Sequence, residues 1–98
     1  MAMHEGVARI ALELAENSSL KGKRMVVRSV VQRVRNRFNV AVAEIDTQDV
    51  WEVITLGIVC VSDDPRHCNE MLSKVIDFIE SERLDAEVGA VELELIAV

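Results

Sequence analysis

Lys21, Lys23 and Arg24 fall at the start of an expected helix, directly after Ser19. The first turn of a helix presents unpaired N–H groups and the positive end of the dipole. Acidic residues are its usual occupants, and a cation there costs roughly 0.3–1 kcal/mol. Three cations at that end fit an anion docked on them, because helix N-termini bind phosphate readily. Gly22 lets a ligand come close to the backbone. The alternative is a tolerated cationic turn whose side chains pair with carboxylates elsewhere. A Gly-rich phosphate loop is absent, so nucleotide hydrolysis is not supported.

The same helix carries a stripe. At about 100° per residue, Arg24, Arg28 and Arg35 fall within about 40° of one another, with Lys21 nearby. Arg33 and Arg37 fall on the other flank. Such a ridge could follow a phosphate backbone, positioning the protein without reading sequence, and its binding would weaken steeply with salt. The competing reading is a solvated helix face, since cations near the C-terminal end suit the dipole.

Glu44, Asp46, Asp49 and Glu52 cluster beyond the helix. They could hold a hard cation or share a proton, but such clusters more often pair with arginines or cap turns. Trp51 beside them is a candidate partner anchor or a half-buried packing residue. The spacing of Cys60, His67 and Cys68 is not a zinc pattern. His4 lies near an end expected to fray. No catalytic residue, metal site or cofactor is expected.

These residues need elements to hold them. Residues 6–14 alternate, with Ala8, Ile10, Leu12 and Leu14 on one face, and predict a half-buried strand. Asn17, Ser18 and Ser19 supply turn and N-cap chemistry. Val26, Val30, Val34 and Phe38 recur every four residues, predicting a helix from about Leu20 to Phe38 with Asn39 as a left-handed C-cap. So many valines need a sheet to pack on. Residues 40–46 read as a strand facing inward through either Val40 and Val42 or Ala41, Ala43 and Ile45. Residues 53–61 are nearly all apolar and suit a central strand with Ile54, Leu56, Ile58 and Cys60 inward. Asp63-Asp64-Pro65 starts a second helix ending near Glu82, with Cys68, Leu72, Val75 and Ile79 as its buried stripe. Residues 88–98 alternate again. The order βαββαβ predicts a two-layer α+β sandwich of ferredoxin-like type, with the first and third strands central.

Ninety-eight residues suit one domain, 1–98, and half of them are apolar, which excludes a disordered chain. No apolar run is long enough to span a bilayer as a helix, and the start of the chain has no signal-peptide pattern. Two cysteines fit reduced thiols and a cytoplasmic setting. Net charge is −6, but residues 17–43 hold seven cations and no carboxylate, while the rest holds four cations and seventeen carboxylates. The chain has no Tyr, and both Phe fall on expected helices, so base stacking on a sheet of the RRM type is excluded. A KH-type GxxG loop is also absent.

At SLKGKR, RVRNRFNVAVAE and DTQDVW, the chain resembles the YlxP-like family of bacterial proteins, a domain-of-unknown-function family. Ser19-Leu20-Lys21, Lys23-Arg24, Arg35-Asn36, Phe38-Asn39-Val40, Ala43-Glu44, Asp46 and Trp51 carry the resemblance. It implies a ferredoxin-like fold and a small cytoplasmic protein, often encoded beside translation and ribosome-maturation factors. It brings no catalytic residues.

Three functions follow as expectations. The first is a non-enzymatic module that lays its cationic helix and preceding loop, through Ser19, Lys21, Lys23, Arg24, Arg28 and Arg35, on RNA or a ribosomal particle. The second is a protein–protein or small-ligand module like ACT domains, homodimeric through the open sheet face or an edge strand; separately, Glu44, Asp46 and Trp51 are possible partner-binding residues. The third is a small phosphate-handling enzyme like the acylphosphatases, for which neither the loop sequence nor a nucleophile–base pair is present.

Overall fold

The computed structural model describes residues 2–14, 19–82 and 86–98. Its elements are β1 (His4–Leu14), α1 (Leu20–Arg37), β2 (Ala41–Glu44), β3 (Val53–Ser62), α2 (Pro65–Ser81) and β4 (Ala86–Ala97). The strands form one antiparallel sheet in the order β2-β3-β1-β4, with both helices on one face. This is the ferredoxin-like α+β sandwich that the element order implies.

The alternating rows explain which strands are central. Ala8, Ile10, Leu12 and Leu14 of β1 are buried, as are Ile54, Leu56, Ile58 and Cys60 of β3. α2 closes over them with Cys68, Leu72, Val75 and Ile79, of which the three aliphatic side chains are each worth about 1.5–3 kcal/mol when fully buried. It approaches β1 closely at Gly6, where a Cβ would stand 2.8 Å from Leu72 Cδ1 and 3.0 Å from Cys68 Cβ. α1 is more lightly packed, with Val30 and Val34 its fully buried apolar residues.

Caps set the helix starts. The Ser19 hydroxyl accepts from the Gly22 N–H at 3.1 Å, and the Asp64 carboxylate accepts from the Arg66 N–H at 2.9 Å. Those contacts follow the usual N-cap rule. The Arg66 N–H, and then its side chain, hold Asp64 below the usual carboxylate range. Asn17 and Ser18 of the expected turn lie outside the described residues.

The structure departs from expectation at several boundaries. Asn39 is not a left-handed cap: α1 ends at an extended Phe38, and the left-handed non-glycine position among the described residues is Asp46, at φ 62°. The chain runs from the helix straight into β2, which carries the Phe38 ring onto Phe78, edge to face at 5.6 Å. β2 is shorter than expected and faces inward through Val42. His4, expected to fray, is the first residue of β1, and its carbonyl accepts from the Cys68 thiol at 3.6 Å. β4 begins at Ala86, and its pairing with β1 shifts register between Ile10 and Leu12, as a bulge does. α2 leaves the helix-side row of this edge strand half bare, so Val91, Leu93 and Leu95 are each about 40% exposed.

Candidate nucleic-acid interface

α1 separates its cations by what they touch. Lys21, Arg24 and Arg28 are exposed and have no ion-pair partner among the described residues. They stand on the solvent side of the helix, about 4.5–6 Å apart along its axis. Arg35 extends the row and is also exposed, but its guanidinium donates to the Val42 carbonyl at 3.2 Å. On the other flank, Arg33 pairs with Glu82 at 2.9 Å, and Arg37 lies over the Phe78 ring, 5.0 Å from its centre. Ser19 caps the helix and takes up one N–H of its first turn, so the open ridge lies along the flank rather than at the helix tip.

Lys23 is a correction to the expected site. It is 1% exposed and points away from the ridge, under the helix. Its ammonium lies 2.8 Å from Glu44 Oε2. It donates to the Thr47 carbonyl and, at 2.7 Å, to that of Val50, with Gln48 O at 3.4 Å. Lys23 therefore cannot greet a phosphate in solution. It pins the start of α1 to the end of β2 and to the turn at residues 47–50. The alternative weighed for the cationic turn, pairing with a distant carboxylate, describes this residue. The signal was available: Lys23 stands three, four, seven and eleven residues before Val26, Val27, Val30 and Val34, at the centre of the apolar stripe.

The carboxylate cluster is dispersed in the same way. Glu44 belongs to Lys23, whereas Asp46 turns to the other side of the sheet and meets Arg9 at 3.5 Å. Asp49 and Glu52 are exposed. Trp51, 48% exposed, follows directly on the clamped turn. Thr47 ties that turn to β3 through the Thr55 hydroxyl at 2.9 Å. Among the described residues no three His, Cys, Asp or Glu side chains converge as metal ligands would.

Cys60 and Cys68 are buried free thiols. Burial, and then the neighbouring Cys68 thiol, push Cys60 up to about 11 from 9.0. A thiol raised in this way is neutral and inert at physiological pH. In the native protein, iodoacetamide at pH 8 is expected to leave Cys60 unlabelled until denaturant opens the core; rapid native labelling would contradict this. The raised value favours the folded state below about pH 9. That contribution is expected to fade as pH climbs toward 11, a range that denaturant melts can follow.

The chain is a ferredoxin-like α+β sandwich that carries an exposed row of cations on α1. The profile of the family described as "Protein of unknown function (DUF503)" matches residues 6–93. The chain is 37% identical over 76 residues to the "Uncharacterized protein YlxP" of Bacillus subtilis (strain 168), covering 78% of this chain and 83% of that protein. The chain belongs to this YlxP-like DUF503 family. Among the described residues no helix is long and apolar enough to cross a membrane. The family residues noted in the sequence include Lys23, Glu44 and Asp46, which the fold brings to the two sides of one clamped β2–β3 connection.

Proposed function

We propose that the protein is a non-enzymatic cytoplasmic binding module that lays the exposed flank of α1 on RNA, as part of a ribosomal particle or a precursor of one. The observation that carries the reading is the division of the cations. Lys23, Arg9, Arg33 and Arg66 are committed to carboxylates, while Lys21, Arg24 and Arg28 stand in a row facing solvent with none among the described residues. A rigid row of unpaired cations costs helix stability at its N-terminal end and is suited to a polyanion. With Arg35, four phosphate contacts on a single strand give a salt slope of about −3, so a fourfold rise in salt weakens binding roughly fifty-fold. Fluorescence anisotropy of a labelled single-stranded RNA across a salt series tests this. A flat salt response, or no binding at low salt, would contradict it.

A second reading is a homodimer without a nucleic-acid role, joined along β4. The half-bare row Val91, Leu93 and Leu95 on an edge strand favours it. Two copies related by a two-fold axis would pair β4 with β4 and bring these rows together. Sedimentation of the parent beside Leu93→Lys separates the cases: a parent dimer lost in the variant supports this reading, and a parent monomer at micromolar concentration removes it.

A further inference from the structure

The face of the sheet away from the helices is neither filled nor evenly polar. A shallow trough of about 670 Å³ crosses its middle and touches all four strands. Small or β-branched side chains make the floor: Ala41 and Ala43 from β2, Gly57 and Val59 from β3, and Val7 from β1. Ala41, Ala43 and Val59 are exposed, although each stands on a strand whose other face is core. Gly57 keeps the floor low and lets Ile45 fold over it, since a Cβ there would lie 3.1 Å from Ile45 Cδ1. Four strands span about 15 Å, room for one helix of about 10 Å diameter.

The rim is acidic. Glu92 and Glu94 close the β4 side, and Arg9, on the central strand β1, reaches over the floor between Glu92 and Asp46. Arg9 is balanced by Asp46 at 3.5 Å and Glu92 at 3.9 Å, so it adds no free positive charge. The strand register places Glu5, Glu13 and Glu87 on this same face. RNA and anionic lipid are repelled by such a rim, and so is a second copy presenting the same face. Exposed apolar floor flanked by excess carboxylate complements a helix with small apolar residues on one side and lysine or arginine on the other.

We infer that the open sheet face is a docking trough for a basic amphipathic helix of a partner protein. This surface lies opposite the cationic ridge and stands independently of the RNA reading. The two faces together would let one small domain join a polyanion to a basic protein. Apolar contact on the floor supplies affinity, and the acidic rim supplies orientation and rejects anions.

The probe is a synthetic amphipathic helix of leucine, alanine and lysine, with a control in which glutamate replaces every lysine. Amide resonances of the full chain are followed during titration, and affinity is read from fluorescence of the labelled peptide. The expected result is saturable binding of the basic peptide alone, with shifts centred on Ala41, Ala43, Gly57 and Val59. Glu92→Lys/Glu94→Lys is expected to weaken it at least tenfold. These side chains are exposed, and melting curves verify the variant's fold. Val59→Glu separates a true trough from loose charge attraction. It adds a carboxylate, so pure attraction would tighten binding, whereas a trough that uses its apolar floor predicts a loss of at least tenfold. Unchanged or tighter binding by Val59→Glu, shifts centred on the exposed carboxylates Glu70, Asp77 and Glu80 of α2, or no saturation would overturn the proposal. So would a parent that self-associates through this face, seen as a dimer that Glu92→Lys/Glu94→Lys strengthens.

Discussion

Replacing Lys23 with alanine is expected to lower the stability of the fold by about 3–5 kcal/mol, the usual cost of removing one partner of a buried ion pair. The side chain is 1% exposed and that of Glu44 15%, so solvent screens neither well. Alanine would strand Glu44 and also leave the Thr47 and Val50 carbonyls without their donor. For a domain of this size, the expected fall in melting temperature is roughly 15–30 °C, a large share of a typical total stability. Lys23→Met keeps the volume and should lose nearly as much, because the loss is electrostatic. Pairing Lys23→Met with Glu44→Leu should recover part of it: the stranded charge is gone, but the carbonyls remain unpaired at about 1–3 kcal/mol. Thermal melts of the three variants decide. If Lys23→Ala melted within a few degrees of the parent, the clamp would not exist in solution.

Reversing Lys21, Arg24 and Arg28 to glutamate is expected to abolish RNA binding while leaving the fold intact or firmer. All three point to solvent, and the reversal breaks no ion pair among the described residues. Of the four phosphate contacts proposed, at most Arg35 would remain, beside three new carboxylates, and the salt slope should shrink by about 2. Stability should move the other way. α1 has no acidic residue in its first turn, and glutamate at position 21 would suit the dipole by about 0.3–1 kcal/mol. A variant that melts no lower than the parent yet has lost RNA binding separates function from folding. Loss of binding together with loss of helix would leave the ridge without a role of its own. Arg35 is omitted because its contact with the Val42 carbonyl gives it a structural duty.

The contrast between Lys23 and its neighbours shows what could be read from the chain. Element order and inward rows were legible because alternation and helical periodicity are local. Ile54, Leu56, Ile58 and Cys60 are all buried as their spacing implied, and Asp64 and Pro65 open α2 as their chemistry implied. The direction of β2 was not legible, because valines and alanines alternate there and either face could have been core. Ion pairing was the larger gap. Arg33 finds Glu82 across 49 residues and Arg9 finds Asp46 across the sheet, contacts that no local pattern encodes. Lys23 lay between these cases. Its phase within the valine stripe marked it as inward, but its charge drew it into the cationic group. The apolar trough was half visible: Arg9, Gly57, Val59 and Glu92 could be assigned to the open face by alternation, but not the closeness of Ile45 to Gly57 that shapes its floor.

Co-sedimentation with ribosomal particles over a salt series, with the parent beside Lys21→Glu/Arg24→Glu/Arg28→Glu, bears most directly on the proposed role. The expected result is association of the parent at low salt, release as salt rises, and no association of the variant at any salt. Equal association of both proteins would contradict a role for the α1 ridge, and absence of the parent from the particles at every salt would contradict the ribosomal partner.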